Sequence, residues 1–227
     1  MHDALLAAYG PQHWWPAKTR FEIILGAYLT QNTAWKSVER SLANLRAARA
    51  LSIAGLRRLT QAELAALIRP SGFAARKSAA ICAFLDFLEC EYAGSLNKMS
   101  AAPTAMLEQK LLALPGVGPE TAHAILLYAL GHPIPVADEY LRRICERHHL
   151  LPAPLVKNHR TYSQLHALTQ LAFAAEAPAA HRLHFNEFHA LTVAVGKAHC
   201  GRTAQCAGCP LAFDLGKNHA PAIHRSQ

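Results

Sequence analysis

Apolar residues recur at three- and four-residue spacing through residues 21–29, 38–45, 62–68, 77–88, 121–130 and 139–147, and leucine and alanine dominate these runs. That spacing lays an apolar stripe along one face of a helix. Alternating β-branched runs, which half-buried strands require, are almost absent, so the sequence predicts an all-α fold. Helix-breaking positions fall at Gly10-Pro11, Pro70-Ser71-Gly72, Pro103, Pro115 to Pro119, Pro133 to Pro135, and Pro152 to Pro154. No solenoid-type repeat is present. With 227 residues the chain can bury a substantial core, as one large domain or two lobes. The tail from about Lys217 onward is expected to be poorly ordered.

No apolar run reaches membrane-spanning length, and Met1 to Tyr9 lacks the basic start and long apolar core of a signal peptide, so the expected location is the cytoplasm. Lysine and arginine outnumber aspartate and glutamate 23 to 15, and the formal charge of +8 favours a polyanionic partner. Simple solubility accounts for the same charge. The six cysteines stand at 82, 90, 145, 200, 206 and 209, and only the last three cluster. In a cytosolic chain this points to thiols or a metal site rather than disulfides.

The stretch LPGVGPETAHAILLYAL, from Leu114, sets a turn between two apolar helical runs. Pro115 starts the turn, and Gly116 and Gly118, around Val117, permit backbone angles or close approaches that a side chain would block. Thr121 and the residues before it open the next helix, whose unpaired N–H groups and positive dipole end suit a phosphate. A turn that needs its glycines for local reasons alone is the competing reading. One helix further on, Asp138 stands in VADEYLRRI, which is also a good helix start, so an ordinary N-cap is its plain role.

Apolar helix, LPGVG, apolar helix, then an aspartate at this distance resembles the helix-hairpin-helix DNA glycosylases of the endonuclease III superfamily. LTQNT at Leu29 to Thr33 and PSGFAARKSAAI at Pro70 to Ile81 follow in that family's order, and the resemblance covers nearly all of the chain. It implies double-stranded DNA with a damaged base as partner, and Asp138 as the catalytic residue. Breaking the bond between base and deoxyribose develops positive charge on the sugar, which one nearby carboxylate can stabilise while orienting water. Members that also cut the strand place a lysine two residues past the second hairpin glycine, for a Schiff base with the sugar. This chain has Glu120 there, which implies a monofunctional enzyme that leaves an abasic site.

WWP at Trp14, Trp15 and Pro16, LTQNT followed one residue later by Trp35, PSGF, and Glu120 in place of the lysine together look like the 3-methyladenine DNA glycosylase III branch. The resemblance implies a base pocket of Trp14, Trp15, Pro16 and Trp35, with Glu120 beside it. Trp35 stands where that branch has phenylalanine. Tryptophans are also common core residues. A cationic methylated adenine would gain about 0.5–2 kcal/mol from electron-rich aromatic faces. Gln31 matches the position that fills the gap left by a flipped base, and Phe73 and Ala74 match the opposing wedge loop. Phe73 as a buried structural residue is the alternative.

Cys200, Cys206 and Cys209, followed by Pro210, resemble the start of the superfamily's 4Fe-4S loop, but no fourth cysteine stands near Leu215. A metal-free remnant is one outcome, and a cluster completed by Asp214 or His219 is the other. Such a ligand usually leaves a cluster labile. Cys145, His148 and His149 suggest packing and a solvent face rather than a zinc site. The fold implied has two lobes flanking an active-site cleft: 16–133, with the hairpin, and 1–15 plus 134–227, with the cysteine loop. A monomer suffices. The competing functional classes are a non-catalytic DNA-binding module and a glycosylase for mismatched or oxidised bases.

Overall fold

The computed structural model describes residues 1–215. Among these residues the regular structure is helical, apart from one isolated bridge between Cys200 and Ala204. The α-helices are α1 His2–Tyr9, α2 Arg20–Leu29, α3 Trp35–Ala47, α4 Ile53–Arg57, α5 Gln61–Leu67, α6 Ala74–Tyr92, α7 Leu96–Ser100, α8 Thr104–Leu112, α9 Pro119–Ala124, α10 Glu139–Arg147, α11 His159–Ala172 and α12 His181–Ala198. No described helix is long and apolar enough to cross a membrane.

Local chemistry sets many of the boundaries. Thr19 caps α2 by accepting the Glu22 N–H at 3.1 Å, and Thr60 with Glu63 forms a reciprocal capping box on α5. Ser52 and Asn158 cap α4 and α11 in the same way. The helix expected over 121–130 has two parts: α9, then a wider π-helical turn at Ile125–Leu130 that ends at left-handed Gly131. Six residues are too few for apolar spacing to separate i→i+4 from i→i+5 bonding.

The described chain forms two compact units. One holds residues 15–136 and 176–185 and is built around α2, where Phe21, Ile24, Leu25, Ala27, Tyr28 and Leu29 are all buried. A helix apolar on every side belongs in an interior, and α2 packs against α3, α6, α9 and the π-helical turn. Its one buried carboxylate, Glu22, is paired at 2.7 Å with Arg46 of α3.

The other unit holds residues 1–14, 137–175 and 186–215. Leu5, Ile144, Leu191, Val195, Cys200 and Leu211 form one core cluster, and Ala137, Leu141, Cys145, Leu155 and Leu165 form a second. Helix α10 contributes to both. Burial pushes the Cys145 thiol up to about 12, so it behaves as an apolar packing group.

Candidate active site

The hairpin lies between α8 and α9. Gly116 adopts φ 74°, and a Cβ there would come within 3.1 Å of the Ala80 methyl group, so the fold itself requires glycine. Gly118 is different: its φ of −100° suits any residue, and a Cβ would meet nothing within 4 Å. Its exposed backbone precedes the first turn of α9, where N–H groups have no partner inside their own helix. Val117 is buried beneath the turn. His123 of α9 and Glu108 of α8 lie 2.8 Å apart, and the same imidazole bonds the Pro135 backbone, which fixes the two helices around the turn. Burial lowers the His123 pKa, although Glu108 opposes the shift.

The Gln31 amide donates to the Gly116 carbonyl at 3.0 Å and to the Thr121 hydroxyl at 2.9 Å. The Thr121 side chain is thus turned inward, so its hydroxyl is committed to Gln31 rather than to solvent. Phe73 is not buried. It is 61% exposed, holds a left-handed conformation at φ 49°, and carries the Arg76 guanidinium 5.1 Å from its ring centre. Ala74 opens α6 directly after it, and Glu120 is exposed in the first turn of α9.

Trp15 packs edge-on against Trp35 at 5.6 Å and against Tyr128 at 5.2 Å. Tyr128, from the π-helical turn, is an aromatic partner that the sequence reading missed. Its place in an apolar run gave no separate signal. Trp35 also donates its indole N–H to Glu39 at 3.0 Å, and Pro16 and Trp35 line an open groove of about 500 Å³ with Lys18, Glu22, Glu39 and Arg46. Trp14 turns its ring to His189, 5.6 Å away within its own unit.

Asp138 is the N-cap of α10. Its Oδ1 accepts the Leu141 N–H at 2.8 Å, and the Tyr140 backbone supports the same carboxylate. Oδ2 lies 3.8 Å from His189 Nε2, beyond hydrogen-bond length, and both side chains are under a tenth exposed, at 9% and 8%. Burial pushes Asp138 up to about 6 against the pull of the backbone N–H groups, and burial pushes His189 down to about 4. Near neutral pH a carboxylate therefore faces an uncharged imidazole rather than an ion-pair partner. A carboxylate that caps a helix through Oδ1 is not thereby barred from a second role. His189 had no local signal in the sequence, since it meets Asp138 only through the packing of α12 with α10.

The cysteine loop is braced from α10. Arg143 donates to the Cys200 carbonyl at 3.1 Å, and Arg147 donates to the carbonyls of Gly201 and Arg202, each at 2.9 Å. Cys200 is buried, Cys209 partly buried and Cys206 exposed. Among the described residues no three histidine, cysteine or acidic side chains gather closely enough to hold a metal ion. Asp214, one candidate fourth ligand, lies 3.3 Å from His148 Nδ1. His219, the other, lies outside the described residues. The described residues alone do not gather the four-ligand set of a 4Fe-4S cluster.

A helical protein with a glycine-bearing hairpin and, later in the sequence, a buried aspartate at a helix start defines a class, and residues 25–168 match it: the chain belongs to the HhH-GPD superfamily of base excision DNA repair proteins. It is a DNA glycosylase of the endonuclease III type. Among curated relatives, a protein of Methanocaldococcus jannaschii, provisionally named a DNA repair glycosylase, is 35% identical over 213 residues, covering 93% of this chain and 92% of its own. Among solved structures, the Helicobacter pylori 3-methyladenine DNA glycosylase bound to 1,N6-ethenoadenine matches with a TM-score of 0.74 and 25% identity, over 87% of this chain and 95% of that one. Endonuclease III in a trapped covalent complex with DNA matches at 0.73 and 19% identity, over 93% and 91%, a likeness of fold.

Proposed function

We propose that this protein is a monofunctional DNA glycosylase that flips alkylated purines of the 3-methyladenine type out of double-stranded DNA and excises them, leaving an abasic site. The observation that carries the chemistry is the Asp138 carboxylate, anchored through Oδ1 by the first turn of α10 with Oδ2 left over. As the bond to the base stretches, charge grows on the sugar, and a carboxylate already desolvated stabilises that charge more strongly than one in water. The same carboxylate orients the attacking water.

The substrate class rests on two supports. Trp15, Trp35 and Tyr128 offer aromatic faces suited to an electron-poor, cationic base, and the H. pylori relative is named for 3-methyladenine. Such a base is already a good leaving group and needs little acid catalysis. Monofunctional action rests on Glu120, since a carboxylate cannot form a Schiff base with the sugar. Gly116, Gly118 and the first turn of α9 hold the phosphate backbone, and Gln31 and Phe73 act on the duplex at the flipped position.

The test is base release from methylated duplex DNA, with released bases separated chromatographically. Wild type should release 3-methyladenine and leave strands that break only after alkali, while Asp138→Asn should release it about 10²- to 10³-fold more slowly. Equal release by both proteins would remove Asp138 from the mechanism. No release by either protein, with DNA binding retained, would favour the non-catalytic binding module or a different lesion.

A further inference from the structure

Lys77 of α6 is 2% exposed, which is unusual for a lysine whose ammonium meets no carboxylate among the described residues. A buried ammonium is tolerated only when its protons are bonded. Here each of the three N–H groups has an oxygen: the Leu29 carbonyl at 2.7 Å, the Thr33 hydroxyl at 2.7 Å and the Ser71 carbonyl at 2.8 Å. The Leu29 carbonyl sits at the C-terminal end of α2, where the helix dipole favours a cation.

These three acceptors come from two segments far apart in sequence. Leu29 and Thr33 bracket Gln31, and Ser71 lies two residues before Phe73. Thr33 has the Gln31 and Ser71 carbonyls within reach of its hydroxyl, at 3.0 and 2.6 Å, and the Ser71 hydroxyl meets Ser41 of α3 at 2.6 Å. Gln31 in turn grips the hairpin through Gly116 and Thr121. Phe73 is both exposed and left-handed, a conformation that persists only where the surroundings hold it.

We propose that Lys77 is a positioning residue that locks the Gln31 loop, and through Gln31 the hairpin, in register with the Phe73 loop, so that Phe73 enters the duplex as a wedge on a rigid mount. This rests on the glycosylase reading and deepens it. Hydrophobic replacements of buried charges are often neutral for folding, so stability alone is a poor reason for a lysine at this place. Three convergent hydrogen bonds of fixed direction instead supply geometry, which flipping a base against its stacking requires.

Lys77→Met, which keeps most of the side-chain volume, and Thr33→Val, which removes one acceptor and leaves the ammonium, test this together. Unstacking is followed by the fluorescence of 2-aminopurine beside 1,N6-ethenoadenine in a duplex, binding by polarisation, and excision on methylated duplex and methylated single-stranded DNA. Lys77→Met should unfold in one transition and bind duplex within about threefold of wild type. It should lose about tenfold or more in unstacking and duplex excision, because tenfold is only about 1.4 kcal/mol of a flipping cost of a few kcal/mol. Excision from single strands, which need no wedge, should change little. Thr33→Val should move the same readouts in the same direction by less, and it alone decides should Lys77→Met fail to fold. Undiminished unstacking in the variants, or equal losses on duplex and single strand, would overturn the proposal. A wild type that unstacks duplex and releases no base would sink the Asp138 reading while leaving the Lys77 role standing.

Discussion

The hairpin and the Asp138 turn both present the start of a helix, yet they use it in opposite ways. At the hairpin, Gly118 brings no side chain and leaves its backbone exposed at the start of α9, and His123, Glu108 and Gln31 brace the turn. At α10, the group proposed for the chemistry is the N-cap side chain itself, and it is buried beside His189. The first arrangement suits an anion that arrives from solvent. The second keeps an anion in place at a cost to folding, because its pKa near 6 means that the folded environment opposes its charge. A binding surface of this kind is close to neutral for stability, whereas a reactive carboxylate of this kind is not.

The contrast breaks most visibly at Asp138→Asn. Asparagine caps helices about as well as aspartate, so the fold should hold while excision falls by about 10²- to 10³-fold, the range seen for lost electrostatic stabilisation. The same variant should be more stable at pH 7, by up to about 3 kcal/mol, since a raised pKa is a folding cost. Calorimetry of both proteins checks this, and an unchanged or lowered Tm would contradict the burial argument.

The cost has a defined pH window. Asp138 has a folded pKa of about 6 against an ordinary aspartate value of 3.8, so its destabilisation is absent below both values. It grows as pH rises between them and is complete above about 6. The Tm difference between Asp138→Asn and wild type should therefore shrink on acidification through that window. Single-turnover excision should fall over the same range, as the reactive carboxylate is protonated.

Gly196→Ala probes how α12 sets the first turn of α10. A Cβ at Gly196 would lie 2.3 to 2.6 Å from the Tyr140 side chain, two residues beyond Asp138. Overpacking of this kind costs about 1–3 kcal/mol, and excision should fall further than DNA affinity, measured by single-turnover kinetics and polarisation. The smallest effect separates the two hairpin glycines. Gly116→Ala should cost about 1 kcal/mol or more through its left-handed φ, whereas Gly118→Ala should leave Tm nearly unchanged and weaken duplex binding. Equal Tm losses at both positions would erase the distinction drawn at the turn.

Much of this was legible before any fold was known. Helices α2, α3, α5, α6 and α10 announce themselves by apolar spacing, and the hairpin and Asp138 by glycine, proline and cap chemistry, because these are interactions among neighbours in the chain. Helices α11 and α12 escaped, since histidine, asparagine and threonine interrupt their apolar rows. Phe73 reads equally well as core or as surface, and only the packed loop turns it outward.

What the sequence by itself determined is the all-α class, the superfamily, and the places where backbone and cap chemistry are written in adjacent residues. Tertiary structure alone decided that His189 faces Asp138, that Tyr128 joins Trp15, and that Lys77 finds three oxygens from two separate segments. The reason is physical: burial and long-range hydrogen bonds set charge states and geometry, and neither exists until distant parts of the chain have met.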